Sequence, residues 1–278
     1  MLGALIIVFR EVIEAGLIIG IVMAATRGVA GRGRWVTYGV IAGVAGATLV
    51  AFFAGAISEA FQGSGQELFN ASVLSIAVLM LMWHNAWMAR HGREIVLEMH
   101  HLGTSVSAGE RPLIALSVVV GLAVLREGAE VALFLYGILI GGTSGSSLFI
   151  GGVLGLVMGI VFSGLTYRGL LAIPSHYIFA VTTVLISLLA AGLAAQAVHY
   201  LYMAGWVNVL GTPLWDTSWL LPQGSLAGKM LQTLVGYSDQ PTGLQLIAYL
   251  GTLAVMALLM RLARMPPDQP ARRPAPAE

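Results

Sequence analysis

The 278-residue chain contains no cysteine. Disulfides, thiolate metal sites and cysteine nucleophiles are therefore excluded, and any metal must be held by oxygen or imidazole. Charge is also scarce. Asp, Glu, Lys and Arg make up 10% of the residues, against about 25% in a soluble domain. A protein of this size could not cover its surface with so few polar groups. Lysine occurs once, at Lys229, and the net charge is only +1, so there is no bulk attraction for nucleic acid. No phosphate-binding P-loop is found, and neither is an H-E-x-x-H or G-x-S-x-G motif. The usual signatures of an ATPase, a zinc protease or a serine hydrolase are thus missing.

Long apolar runs are what the chain does have. Hydrophobic residues reach 58%, and the mean hydropathy is +0.86. A membrane helix needs about 20 apolar residues. Seven stretches qualify: 2–25, 36–57, 71–89, 113–140, 148–171, 178–202 and 244–262. The sequence predicts an all-α integral membrane protein with seven transmembrane helices in residues 1–264. The charges inside the first stretch argue against a removable leader. Residues 203–243 read as an outer cap, because Trp206, Trp215 and Trp219 suit the headgroup level. Residues 92–101 read as a polar cytoplasmic segment, and the Pro-rich residues 265–278 as a disordered cytoplasmic tail. The glycines Gly151, Gly155 and Gly159 form a ridge suited to close helix packing.

Loop charge sets orientation. With seven spans, Arg27, Arg32, Arg34, Arg90, Arg93, Arg111, Arg168, Arg261, Arg264, Arg272 and Arg273 fall on one side, and only Lys229 on the other. This predicts an outside N-terminus and a cytoplasmic C-terminus.

Two spans break the apolar pattern in the same way. The first reads Arg10-Glu11-Val12-Ile13-Glu14 and the fourth Arg126-Glu127-Gly128-Ala129-Glu130. A charge at mid-bilayer costs about 2.5–3.5 kcal/mol on insertion scales. On a helix, Arg10 and Glu14 lie about 40° apart and Glu11 about 100° from Arg10, so all three share a face. Each Arg neutralises one Glu, which leaves one carboxylate in excess per motif. Four such carboxylates facing one another suit a hard cation. The competing reading is a buried salt-bridge brace between helices, with Arg10 and Arg126 as its cations.

The motifs stand 116 residues apart, and an odd number of spans separates them. The pattern predicts a 3+3 inverted repeat (2–90 and 112–202) plus one extra helix, with a substrate site at the repeat interface. His84 and His199 have nearly the same offset, 115 residues. They are candidate accessory ligands or relays, although a lone membrane histidine more often bonds a neighbouring helix. Glu59, Glu67, Asp216 and Asp239 are candidates for gathering cations at the outer mouth. Solvated acids or helix caps are as common.

These residues resemble the oxidase-dependent iron permeases, meaning the high-affinity iron permease of yeast and the bacterial elemental-iron uptake permeases. The resemblance covers about residues 2–264. It rests on the two R-E-x-x-E motifs, the run W-M-A-R-H-G at 87–92, and A-A-G-L-A at 190–194. A-G-W at 204–206, L-W-D-T-S at 214–218 and G-Y-S-D-Q-P at 236–241 add to it. It implies import of ferric iron across the plasma membrane, in bacteria the inner one. Glu11, Glu14, Glu127 and Glu130 would bind the ion in transit, supported by Arg10 and Arg126. It implies a transporter, with iron as cargo and no prosthetic group. It also implies a ferroxidase or periplasmic iron-delivery partner in the lipid-embedded system. Fe²⁺, another divalent ion or a membrane-embedded metalloenzyme are the alternatives, and a homo-oligomer stays open. One departure is Asn70, which stands where the family often carries a further acid near Glu67.

Overall fold

The computed structural model describes residues 1–60, 65–169 and 175–263. The described residues form helices α1 (Leu2–Ala25), α2 (Arg32–Ala60), α3 (Gln66–Ser107), α4 (Ile114–Ile140), α5 (Gly145–Tyr167), α6 (Ser175–Met203), α7 (Leu226–Val235) and α8 (Gly243–Ala263). No strand occurs among the described residues, apart from an isolated bridge between Pro213 and Thr242. The tail expected at 265–278 lies outside the described residues.

Five helices have segments long and apolar enough to cross a membrane, in α2, α3, α5, α6 and α8. Helices α1 and α4 match them in length, at 24 and 27 residues, but each carries three charges near its middle. The outward surface fits lipid. Phe52, Trp83 and Phe149 are each about 70% exposed, whereas Arg10, Glu11, Glu14, His84 and Glu127 are buried. A soluble protein does not present such large apolar faces. The chain is a multi-pass α-helical membrane protein.

Helix α3 differs from expectation. Instead of a short span and a separate polar segment, it is one helix of 42 residues. Residues 93–101 are mostly Arg, Glu, Leu, Met and other helix-compatible types, and no proline interrupts them. At 1.5 Å per residue α3 is about 63 Å long, twice a bilayer core. Its far end is tied down where the Ser107 hydroxyl donates to the Ala25 carbonyl at 2.9 Å.

Two closely packed helix pairs dominate the fold: α2 along α4, and α5 along α1. Glycine allows both. A Cβ at Gly43 would lie 2.7 Å from the Gly121 oxygen and the Val124 Cβ, and 2.9 Å from the Leu125 nitrogen. At Gly155 it would meet the Leu5 oxygen at 2.5 Å, and the Val8 Cβ and Phe9 nitrogen at 3.0 Å. Leu5, Val8 and Phe9 stand 116 residues before Gly121, Val124 and Leu125. The glycine ridge of α5 is thus used inside the chain, against α1.

Helix α3 packs on α6, and α8 on both. One apolar core joins Ile7, Leu74, Val78, Leu81, Phe134, Ile138, Ile186, Leu189 and Leu193. A second joins Val22, Val36, Val106, Leu116 and Val120. On α1 and α3 the first core precedes Arg10 and His84 in sequence, and the second follows them. On α4 the order is reversed, as an oppositely directed helix requires. The charged residues are therefore held between two apolar plugs.

A candidate metal centre

The centre is built by three helices. On α1, Arg10 Nε lies 2.8 Å from a Glu14 carboxylate oxygen, and Arg10 Nη1 lies 3.7 Å from Glu11. On α4, Arg126 Nε donates to Glu130 at 3.1 Å and lies 3.7 Å from Glu127. Both pairings follow from helical spacing, since residues four apart stack on one face. Between them stands His84 of α3. Its Nδ1 contacts a Glu130 oxygen, and its Nε2 lies 3.6 Å from Glu14 and 3.9 Å from Glu11. One ligand atom each from Glu11, His84, Glu127 and Glu130 fall within 4.8 Å of one another.

Small residues let the motifs approach their neighbours. A Cβ on Gly128 would come within 2.6 Å of Ala47 on α2, and one on Gly159 within 2.7 Å of Val12. Each motif thus meets its packing partner one residue beyond its first glutamate.

The electrostatics are unbalanced. Four carboxylates face two guanidiniums, two negative charges in excess, and both Glu11 oxygens and Glu127 Oε2 are buried without a hydrogen-bond donor. An uncompensated buried charge is strongly destabilising. A divalent cation held by three carboxylates and an imidazole would neutralise the excess. A brace alone would need no surplus carboxylates, and oxygen and imidazole donors gathered this closely suit a cation.

The two arginines differ. Arg10 is 3% exposed, while the Arg126 side chain is 38% exposed and lies over the Trp87 ring at 4.2 Å. Trp87 in turn stacks on His91. Sequence reasoning did not single out Trp87, although it opens the W-M-A-R-H-G run one turn beyond His84. Neither did it find Asn85, buried beside His84 with neither amide atom bonded.

The remaining candidates lie apart from this cluster. His199 lines a separate cavity beneath the cap, so equal spacing in sequence does not give His84 and His199 equal placement. Asp239 lines that cavity too, and its carboxylate accepts from the Gln223 backbone N–H at 3.0 Å. Asp216 is occupied by the cap itself. It accepts from the Ser218 hydroxyl and N–H and from the Gln240 amide, and the Ser218 bonds hold its carboxyl below the usual range. Glu67 is exposed in the first turn of α3. The Glu59 side chain lies outside the described residues.

The fold is that of a multi-pass membrane protein, and the centre offers the donors a carrier of metal cations would use. The chain belongs to the iron permease FTR1 family, whose model matches residues 1–265. It is a transporter of iron rather than an enzyme. The ferrous iron permease EfeU of Escherichia coli O6:H1 is 30% identical over 244 residues, which covers 85% of this chain and 87% of that protein. The ferrous iron permease EfeU of Shigella sonnei is 30% identical over 243 residues, again 85% and 87%. That of Yersinia pestis is 29% identical over 248 residues, or 88% and 87%. No solved structure matches the chain.

Proposed function

We propose that the chain imports Fe²⁺ through the cluster of Glu11, Glu14, Glu127, Glu130 and His84, with Arg10 and Arg126 holding the carboxylates in place. The observation that carries this is the convergence of ligand atoms from Glu11, His84, Glu127 and Glu130 within 4.8 Å, between two apolar plugs. The names of the relatives favour the ferrous ion. So does His84, because a borderline ion takes imidazole more readily than a hard trivalent one. Ferric iron, suggested by four carboxylates alone, is the second reading. A ferric cargo would call for a separate ferroxidase partner, and a ferrous one does not require it.

Seven spans are the architecture this function uses, with α1 and α4 spanning beside the five plainly apolar helices. Their charges face inward, where a membrane protein places functional ionisable groups. The inverted repeat is supported by the glycine contacts. Gly43 on Gly121, Val124 and Leu125 reproduces Gly155 on Leu5, Val8 and Phe9. The arginine distribution supports a cytoplasmic C-terminus in the bacterial inner membrane, with the cap outside. Arg10 then lies on the outer side of the cluster and the more exposed Arg126 on the inner side.

Uptake of radioactive iron into proteoliposomes under reducing conditions tests the assignment. Each neutralised carboxylate removes a ligand and a charge, so the Glu11→Gln/Glu127→Gln double variant should lose at least about 100-fold in rate. Transport close to the parent rate by the correctly folded double variant would reject the site.

A further inference from the structure

A second polar space lies beneath the cap. It is a cavity of about 570 Å³ between α6, α8, the end of α4 and residues 215–242. Its walls carry one carboxylate (Asp239), one imidazole (His199) and five glutamines, Gln196, Gln223, Gln232, Gln240 and Gln245. No lysine or arginine is among the described residues that line it. One fixed negative charge among neutral oxygen and nitrogen donors, with no fixed positive charge, favours cations over anions. The volume accommodates an ion with its water shell. The donors do not converge as the centre's do, so the space suits a hydrated ion rather than a fully coordinated one.

The cavity floor supplies a second, independent argument. Ile138, Leu189 and Leu193 line the cavity and also belong to the apolar core next to the metal centre. Phe134 of that core lies one helical turn from Glu130, and Leu81 three residues from His84. The first apolar core therefore lies between the cavity and the centre. The cap that roofs it is firmly built. Asp216 ties Ser218 to Gln240, the Tyr237 hydroxyl donates to the Leu221 carbonyl at 2.9 Å, and the Tyr249 hydroxyl donates to the Val235 carbonyl at 2.7 Å. Gly236 ends α7 at φ +70°, with its Cα against Gly192 of α6, which seats the cap on the cavity wall.

We propose that this cavity is a loading site, where a hydrated divalent cation is held by Asp239 and His199 before it passes the apolar layer to the centre. The inference rests on the transport reading above and adds a second cation site to it. A loading site sets the apparent affinity for iron, whereas the centre sets whether transport occurs.

The test is initial-rate uptake of ascorbate-reduced radioactive iron by the full chain in proteoliposomes, over a range of iron concentrations. Loss of one nearby charge or ligand predicts about a fivefold rise in KM for Asp239→Asn and for His199→Gln, with maximal rate within about twofold of the parent. Asp239→Glu should restore KM. Glu127→Gln, measured in parallel, should abolish transport. KM values unchanged in both cavity variants, with Glu127→Gln inactive, would overturn the loading site and leave the transport reading intact. Full activity of Glu127→Gln would instead overturn the transport reading.

If either cavity variant fails to fold, labelling decides the matter. The chain has no cysteine, so Gln196→Cys carries the sole thiol. It should react with a membrane-impermeant thiol reagent added on the cap side, and Mn²⁺ should slow that reaction. Reaction from the opposite side only, or a rate indifferent to Mn²⁺, would overturn the proposal.

Discussion

Arg10 is the more buried of the two motif arginines. It is 3% exposed and serves Glu14 at 2.8 Å and Glu11 at 3.7 Å. Replacing it with methionine keeps the apolar stem and strands two buried carboxylates. Breaking such a pair costs about 3–5 kcal/mol, and a thermal melt of the Arg10→Met variant in detergent should fall accordingly. Arg126, half-exposed against Trp87, should be far more tolerant of the same change. His84 supplies the nitrogen that distinguishes this centre from one made only of carboxylates. The His84→Gln variant should retain its fold but lose preference for Fe²⁺ over Mn²⁺ or Ca²⁺, since an amide oxygen replaces the imidazole. Competition of these ions against iron uptake measures the change, and unaltered selectivity would exclude His84 as a ligand. The glutamates and arginines of both motifs were legible in the sequence, because charges inside apolar runs are conspicuous. The central place of His84 was not, because its one spacing signal, the 115-residue offset to His199, pointed to a partner that lies outside the cluster. It joins the cluster only through the register of α3 against α4.

Between helices, glycine sets the distances on which the centre depends. Gly39 and Gly43 bring α2 onto α4, with a Cβ at Gly39 falling 2.6 Å from the Ser117 oxygen. Overpacking of this kind typically costs about 1–3 kcal/mol. A Gly43→Leu exchange should lower the melting temperature and depress transport together. Gly152→Ala on α5, where a Cβ meets nothing within 4 Å, should change neither. Helix boundaries were largely readable from hydropathy. The length of α3 was not, because polarity after residue 92 marks where a membrane ends, not where a helix does. The pairing of His84 with His199 likewise followed sequence spacing and missed the register. Buried Leu74, Ala77, Val78 and Leu81 of α3 stand 112 residues before buried Ile186, Leu189, Ala190 and Leu193 of α6. The same offset carries Gly39 and Gly43 onto Gly151 and Gly155. It places Gln196, rather than His199, opposite His84. The link from α4 to α5 is two residues shorter than that from α1 to α2, which accounts for part of the drop from 116 to 112.

At the scale of the whole molecule, the features follow one order along the helices. A polar cavity beneath the cap meets an apolar layer, then a carboxylate and imidazole centre, then a second apolar core. On the proposed transport reading, passage of an ion requires the helices around Phe134 and Val120 to move in turn, as the proposed inverted repeat would allow. Class and chemistry could be read from composition and the paired motifs, since both depend on local pattern. The cap cavity could not, because it is assembled from segments that lie up to 111 residues apart, from Ile138 to Tyr249. The central claim is that iron is held by Glu11, His84, Glu127 and Glu130 between the two plugs. Anomalous scattering at the iron edge, from crystals of the protein grown with Fe²⁺ under reducing conditions, tests it most directly. The account predicts a peak bonded to these side chains. A peak in the cap cavity would not count against it, but a saturating soak that leaves the space among these four residues without iron would contradict it.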